Sequence, residues 1–251
     1  MCFTVAVVRE NVKETTEKFI NKFSSADKRK YEDTIETEIP EFYLISGFSH
    51  PKLSVIGPKG ITLKEWGLIP GWTKSKNDAL ELRDKTLNAK AETIFEKASF
   101  QQNILSNRCL LPVSGFFEWH DFNGRKYPYY IQPSDAPGFL LASVYDCWVD
   151  RSTGEVYDTF SIVTTAANPL MEQIHNLKKR MPLILDPETA YRWIDSTTTT
   201  AQIKSFFSPY DENKMKAHSI SKTAANPSIN RNFKEITNPV FYPELNQQSL
   251  F

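Results

Sequence analysis

Cysteine is scarce in this chain: three residues in 251, Cys2, Cys109 and Cys147. An odd set with no CxxC or Cys/His spacing argues against a disulfide framework and a zinc site, and it suits a reducing compartment. Neither sign of charge is in excess, because thirty Lys and Arg balance thirty Asp and Glu. No global field therefore recruits or repels nucleic acid, and any such contact has to come from a local patch. Long apolar runs are missing too. No stretch approaches the roughly 18 residues of a membrane helix, and the N-terminus lacks the charged-then-apolar layout of a signal peptide. A cytoplasmic protein with no membrane partner is the expectation. Internal repeats are absent: TAANP occurs at 165–169 and at 223–227, but the flanks differ and no period runs through the chain, so it reads as a reused helix cap.

Apolar and aromatic material is plentiful, at 40% hydrophobic residues with 17 Phe, 10 Tyr and 5 Trp, which is the composition of a globular chain with a sizeable core. The length admits one large domain or two small ones. With no composition break to mark a boundary, one α+β domain is expected, followed by a loosely packed polar tail after about residue 238. The run 3–8 is β-rich, and 11–23 has apolar residues at helical spacing among charges. Segment 42–56 predicts a strand, a Gly/Ser/His/Pro turn and a second strand, and 92–105 has helical spacing. From Cys109 to Ala167 the β-type runs follow one another with turn residues between them. Two short helices are signalled at 168–177 and 186–194 by Asn168–Pro169 and Asp186–Pro187, each an N-cap followed by proline at N1.

Cys2 directly follows the initiator Met1, and methionine is removable when the second residue is small. The mature chain would then present an α-amine and a thiol on one residue, titrating near roughly 8 and about 8.5, so both have a reactive fraction at neutral pH. Such a 1,2-aminothiol captures aldehydes: the amine forms a Schiff base and the thiol closes a five-membered thiazolidine. The same pair also suits an N-terminal nucleophile in acyl transfer, and the position alone equally suits a small apolar residue opening a strand. Glu118, within VSGFFEWHD, shares a strand face with Phe116 by period-2 alternation. Partial desolvation there would raise its pKa toward the range useful for a general acid; a solvent-facing Glu paired with Lys126 explains the same letters. His175 stands at the end of a short helix beside Lys178, Lys179 and Arg180, where it can shuttle protons next to phosphate-binding cations, or simply cap a helix with favourable basic neighbours. Asn88 offers an amide that donates and accepts, although Asn before a helix is most often a cap. Trp66, Pro70, Trp72, Lys74 and Lys76 mix aromatic and basic residues as a single-stranded nucleic-acid surface does, and as core tryptophans beside a lysine loop also do.

Taken in order, Cys at position 2, WGLIPGW, NAKAET, RCLLPVSGFFEW, SIVTTAAN and IHN leading to RMPLIL closely resemble the SRAP family, the SOS-response-associated peptidases also described as abasic-site processing proteins. The matches run from residue 2 to about residue 186. The resemblance implies a single SRAP-type α+β domain over 1–238, with a barrel-like, mainly antiparallel β core and peripheral helices, and a polar tail at 239–251. It implies a monomer without cofactor or metal, with Met1 removed and a positively charged groove for single-stranded DNA, nucleoid-associated when bound. Carried over residue by residue, Cys2 would crosslink to the ring-opened aldehyde of an abasic site. Glu118 would be the carboxylate that helps to open the deoxyribose and to reverse the crosslink, and His175 the proton-transfer residue for Schiff-base chemistry. Asn88 would position the N-terminus and the sugar, with Thr164 beside the site. Trp66, Pro70 and Trp119 fall in motifs that line the family's DNA groove; Trp72, Lys90, Lys178, Lys179 and Arg180 complete the candidate DNA-binding set. The chain departs from the family's usual MCGR start with MCFT, placing Phe3 for glycine and Thr4 for arginine, and Lys90 stands where arginine is usual.

Three functions are compatible with these residues. The first is a DNA-repair protein that forms a thiazolidine DNA–protein crosslink with abasic sites in single-stranded DNA. The second is a thiol peptidase of N-terminal-nucleophile type. The third is a non-catalytic single-stranded DNA-binding module in which Cys2 is structural.

Overall fold

Segments rich in Val, Ile, Phe and Tyr supply the strands, because branched and aromatic side chains pack on a pleated, half-buried surface. In the computed structural model, which describes residues 2–23, 28, 31 and 39–245, the order is β1 (Thr4–Val7), α1 (Arg9–Ile20), β2 (Phe42–Ser46), a 3-10 turn (Gly47–Ser49), β3 (Lys52–Gly57) and β4 (Gly60–Trp66). There follow α2 (Lys76–Lys85), β5 (Asn88–Lys90), α3 (Asn103–Ser106), β6 (Arg108–Val113), β7 (Gly115–Phe122), β8 (Arg125–Pro133), β9 (Phe139–Val149) and β10 (Val156–Ala166). The chain closes with α4 (Pro169–Ile174), β11 (Arg180–Pro182), β12 (Ile184–Leu185), α5 (Pro187–Ile194), α6 (Thr200–Ser205) and β13 (Met215–Ser219).

Strands β3, β4, β10, β9 and β6 pair in a ring that closes on itself, antiparallel throughout except for the parallel β4–β10 pair. The barrel thereby leaves no open edge among these five strands. A second, antiparallel sheet of order β13-β8-β7-β1-β2 lies beside it. The α+β fold with a barrel-like core is the one expected.

Apolar residues of both sheets meet in one cluster, to which β1 and β7 contribute Val5, Val7 and Phe116 and the barrel contributes Leu53, Val55, Leu111, Phe160 and Ile162. Phe117 and Trp119 pack on the outer face of the antiparallel sheet instead. The alternation expected along β7 is therefore realised, with Phe116 inward and Phe117 outward. Gly115 lets β7 start there: a Cβ at this residue would lie 2.4 Å from the Ile131 carbonyl oxygen, inside any allowed contact.

Both proline-led helices form as their caps predict. Asn168 accepts from the Met171 N–H at 2.8 Å, and Asp186 accepts from the Glu188 and Thr189 N–H groups at 3.0 and 3.1 Å. The first of these helices stops at Ile174, short of the expected 177, with His175 as its C-cap. The 92–105 segment is a series of turns that becomes helical only over Asn103–Ser106. Its apolar spacing is still used, since Ile94, Phe100 and Ile104 are buried. Two carbonyls that a continuous helix would bond internally are taken by side chains, Ala98 by the Trp72 indole N–H at 3.3 Å and Ser99 by the Asn103 amide at 3.3 Å.

Nor are residues 239–245 loose. The Val240 N–H donates to Ser219 at 2.8 Å, the Tyr242 hydroxyl to Ile220 at 3.0 Å and the Tyr127 hydroxyl to Glu244 at 2.8 Å. These bonds hold the segment on the edge of the antiparallel sheet; residues 246–251 of the expected tail lie outside the described residues.

Candidate functional site

Cys2 enters the fold just ahead of β1, with no exposed surface, and its S–H reaches the Thr4 carbonyl oxygen at 3.9 Å. β1 pairs with β7 through Val5↔Phe116 and Ala6↔Gly115, so the barrel-facing side of β7 presents Phe116 and then Glu118 beside the start of the chain. Glu118 is 2% exposed. Burial pushes its carboxyl up to about 8, because a carboxylate removed from water is costly. Burial likewise raises the Cys2 thiol, and the charge of Glu118 adds to that rise.

His175 faces Glu118 from the C-terminal end of α4, with 3.7 Å between Nε2 and the nearer carboxyl oxygen. Its Nδ1 lies 2.9 Å from the Arg180 carbonyl oxygen. A carbonyl only accepts, so Nδ1 carries the proton and Nε2 turns its lone pair toward Glu118. Burial pushes the imidazole down to about 4. At neutral pH the pair thus consists of a protonated acid and an unprotonated base, neither bearing charge, which is a division of labour suited to proton transfer.

Three contacts fix the imidazole's segment to β7. Asp121 N–H donates to the Asn176 side-chain oxygen at 3.0 Å, the Asn176 amide returns a bond to the Asp121 carbonyl at 2.7 Å, and His120 Nδ1 lies 2.8 Å from the Gln173 carbonyl. The turn closes with Lys179 N–H on the His175 carbonyl at 2.8 Å and Lys179 in the left-handed region at φ 49°.

Asn88 lies in strand β5, parallel to β10 and opposite Ile162, not at a helix cap. It is 8% exposed, and neither polar atom of its amide has a hydrogen-bond partner among the described residues. A buried primary amide that the protein leaves unsatisfied is costly, which makes Asn88 a candidate for contact with a ligand. Thr164, fully buried on β10, accepts from the Arg180 guanidinium through its carbonyl at 2.7 Å and its hydroxyl at 3.1 Å. The flanks of all five residues meet in one apolar cluster: Cys2 itself, Leu87 before Asn88, Phe116 on the Glu118 face, Ile162 near Thr164 and Ile174 before His175.

The candidate DNA contacts divide. Trp66 is fully buried, stacked against Phe160 with its indole N–H on the Leu87 carbonyl at 2.8 Å. It stacks on no base; it anchors the residue that precedes Asn88. Pro70 is buried as well. Trp119 is half-buried on the outer face of β7, opposite to Glu118. Trp72 is 56% exposed. Lys90 and Lys178 are exposed, Lys179 pairs with Glu172 at 3.6 Å, and Arg180 is tied to Glu92 and Thr164. Glu92 and the Asn176–Asp121 clamp went unnoticed in the sequence. Glu92 lies in the turn that follows the end of β5 at Lys90, and the clamp joins residues 55 apart, so neither leaves a periodic signal.

Among the described residues no cluster of three or more His, Cys, Asp or Glu side chains is placed to hold a metal ion, and no helix is long and apolar enough to cross a membrane. A family model described as SOS response associated peptidase (SRAP) matches residues 1–227. The abasic site processing protein YoqW of Bacillus subtilis is 32% identical over 215 residues, covering 80% of this chain and 92% of that protein. The abasic site processing protein HMCES of Xenopus tropicalis is 32% identical over 149 residues, 52% of this chain and 43% of its own. A crystal structure of a protein from Bacteroides thetaiotaomicron superposes with a TM-score of 0.84 at 35% identity, covering 96% of this chain and all of that one.

Proposed function

The chain belongs to the SRAP family, and from that membership we propose that it processes abasic sites in single-stranded DNA by covalent capture at Cys2. The observation that carries the reading is the buried Glu118–His175 pair, 3.7 Å apart with pKa values displaced in opposite directions, beside Cys2.

An abasic deoxyribose is a cyclic hemiacetal that masks an aldehyde. Glu118, holding its proton at neutral pH, protonates the ring oxygen, and His175 Nε2 takes the proton of the anomeric hydroxyl as the C–O bond breaks. After removal of Met1, the α-amine of Cys2 adds to the freed aldehyde carbon. His175 returns to Glu118 the proton it took from the anomeric hydroxyl; the carbinolamine then loses its hydroxyl as water, protonated by Glu118, while His175 Nε2 takes the remaining N–H proton, leaving a neutral imine. The thiol then adds across that C=N bond: sulfur bonds to carbon, and the thiol proton passes to nitrogen. The product is a thiazolidine, and one water has been released overall. Asn88, with an unsatisfied amide, and Thr164 hold the sugar. The exposed Lys90 and Lys178 meet flanking phosphates. The peptidase reading has less support, because burial keeps the Cys2 thiol protonated and thiol acyl transfer runs through the thiolate.

Intact mass of the protein before and after mixing with a uracil-excised single-stranded oligonucleotide tests the reading. A heat-stable adduct at the summed masses less one water is expected, lost in Cys2→Ala and when Met1 is retained and blocked. An undiminished adduct in both variants overturns it; binding without any adduct favours a DNA-binding module, and peptide turnover favours the peptidase.

A further inference from the structure

Asn88 and His175 reach the site from opposite edges of β10. On one edge β5 pairs through Asn88, Ala89 and Lys90 with Ile162, Val163 and Thr164. On the other, β11 pairs in the register Thr164↔Pro182, Thr165↔Met181 and Ala166↔Arg180. The Arg180 carbonyl, which accepts from His175 Nδ1 at 2.9 Å, thus sits at the start of β11, directly after the left-handed Lys179.

The Arg180 side chain joins these two edges. Its Nη2 donates to the Thr164 carbonyl at 2.7 Å and hydroxyl at 3.1 Å, and its Nη1 reaches the Glu92 carboxylate. The same Thr164 carbonyl accepts from the Ala91 N–H at 2.9 Å, so the guanidinium has passed over β10 to the side on which β5 lies. Glu92 stands in the turn that ends β5, closed by the Thr93 N–H on the Lys90 carbonyl at 3.1 Å. Burial alone would raise the Glu92 carboxyl, but the Arg180 hydrogen bond outweighs it and holds that group below its ordinary value, so it is ionised at neutral pH.

We propose that Glu92 is a positioning residue: through Arg180 it straps β5 to β11 across β10 and so fixes Asn88 and the His175 imidazole relative to one another. This rests on the proposed capture of abasic DNA at Cys2. An exposed ion pair would add little. Here the Arg180 side chain is 14% exposed, and a covered, charge-assisted contact is a strong one. The ladder does not do the same work. It bonds each strand to β10 alone, and β5 is three residues long and paired only with β10 among the described residues, so short a strand being easily displaced.

Three measurements test the strap together: the crosslinking rate at saturating abasic oligonucleotide, the affinity for a tetrahydrofuran abasic analogue that has no aldehyde, and the ¹⁵N spectrum of histidine-labelled protein. Glu92→Ala should lower the rate about tenfold to a hundredfold, as misplacing a catalytic group by up to about 1 Å does. Affinity for the analogue should stay level or rise, because a carboxylate that competes with phosphate for Arg180 is gone. In the parent, His175 should show the single tautomer protonated at Nδ1; in Glu92→Ala the two tautomers should exchange. Glu92→Gln keeps an acceptor of the same length and should recover most of the rate and the single tautomer. A parent-like rate or a parent-like His175 tautomer in Glu92→Ala overturns the proposal, as does a Gln variant no better than Ala. Loss of analogue binding in step with the rate also overturns it, by making the pair a general fold contact. The two readings fail separately: a parent that forms no adduct removes capture at Cys2 and leaves the histidine spectrum to decide the strap, whereas a parent that crosslinks no faster than Glu92→Ala removes the strap alone.

Discussion

With a carboxyl pushed up to about 8, Glu118 keeps its proton at neutral pH and surrenders it as the solution turns alkaline. Acid-assisted capture should therefore fall above about pH 8, while the neutral amine that capture also needs becomes more abundant. The parent should show a bell-shaped rate profile. Glu118→Gln should be slower by the 10²–10⁴-fold typical of a general acid and should lack the alkaline limb; a parent rate still rising at pH 9 would remove Glu118 from this role. The same shift has a stability consequence with a definite sign. The folded-state value lies above the 4.5 of an exposed carboxyl, so the contribution is full below about pH 4.5 and is lost as pH rises through 8. Thermal melts across pH 5 to 9 should show the parent losing stability relative to Glu118→Gln. Asn88 separates stability from function more sharply. Its amide atoms are buried without partners among the described residues, so Asn88→Leu, close in volume, should leave stability unchanged or raise it by about 1–2 kcal/mol while crosslinking drops at least tenfold.

At the scale of elements, the two cap-led helices and the alternation of β7 were legible because their causes are local: a side-chain oxygen three residues from its N–H, or a period of two. The same locality is why 92–105 misleads. Its apolar spacing is helical, but Trp72 and Asn103 claim the Ala98 and Ser99 carbonyls, and Trp72 comes from elsewhere in the chain. Cys2, Glu118, His175 and Asn88 could be nominated singly from the sequence, and their ordered motifs joined them. Trp66 and Pro70 could not be judged so, since an aromatic or proline motif looks alike whether the barrel buries it or solvent meets it. The α4–β7 clamp is the element-scale device that sets the imidazole. Asn176→Ala leaves the Asp121 N–H without its acceptor and should cost about 1–2 kcal/mol. Crosslinking should fall while the affinity for uncrosslinkable abasic DNA is retained; equal loss of both would make the clamp a general fold contact.

On the scale of the whole molecule, thirty charges of each sign leave DNA affinity to a few local cations. Lys179 and Arg180 are engaged by Glu172 and Glu92, while Lys90 and Lys178 remain exposed outside every ion pair formed among the described residues. Two or three neutralised phosphates predict a shallow salt dependence, because each contributes about −0.7 to the slope of log K against log salt on single strands. A slope of roughly −1.5 to −2 is expected for the parent. Lys178→Ala should flatten it by about 0.7, whereas Trp72→Ala, which removes a neutral ring, should lower affinity without changing the slope. Lys178 also stands close enough to Glu118 and His175 to lower both of their pKa values. Its removal should accordingly move the alkaline limb of the rate profile upward, in the direction opposite to the effect of an added cation. A salt slope of −4 or steeper in the parent would mean that a larger cationic surface than these lysines engages the strand, and that the ion pairs on Lys179 and Arg180 open when DNA binds.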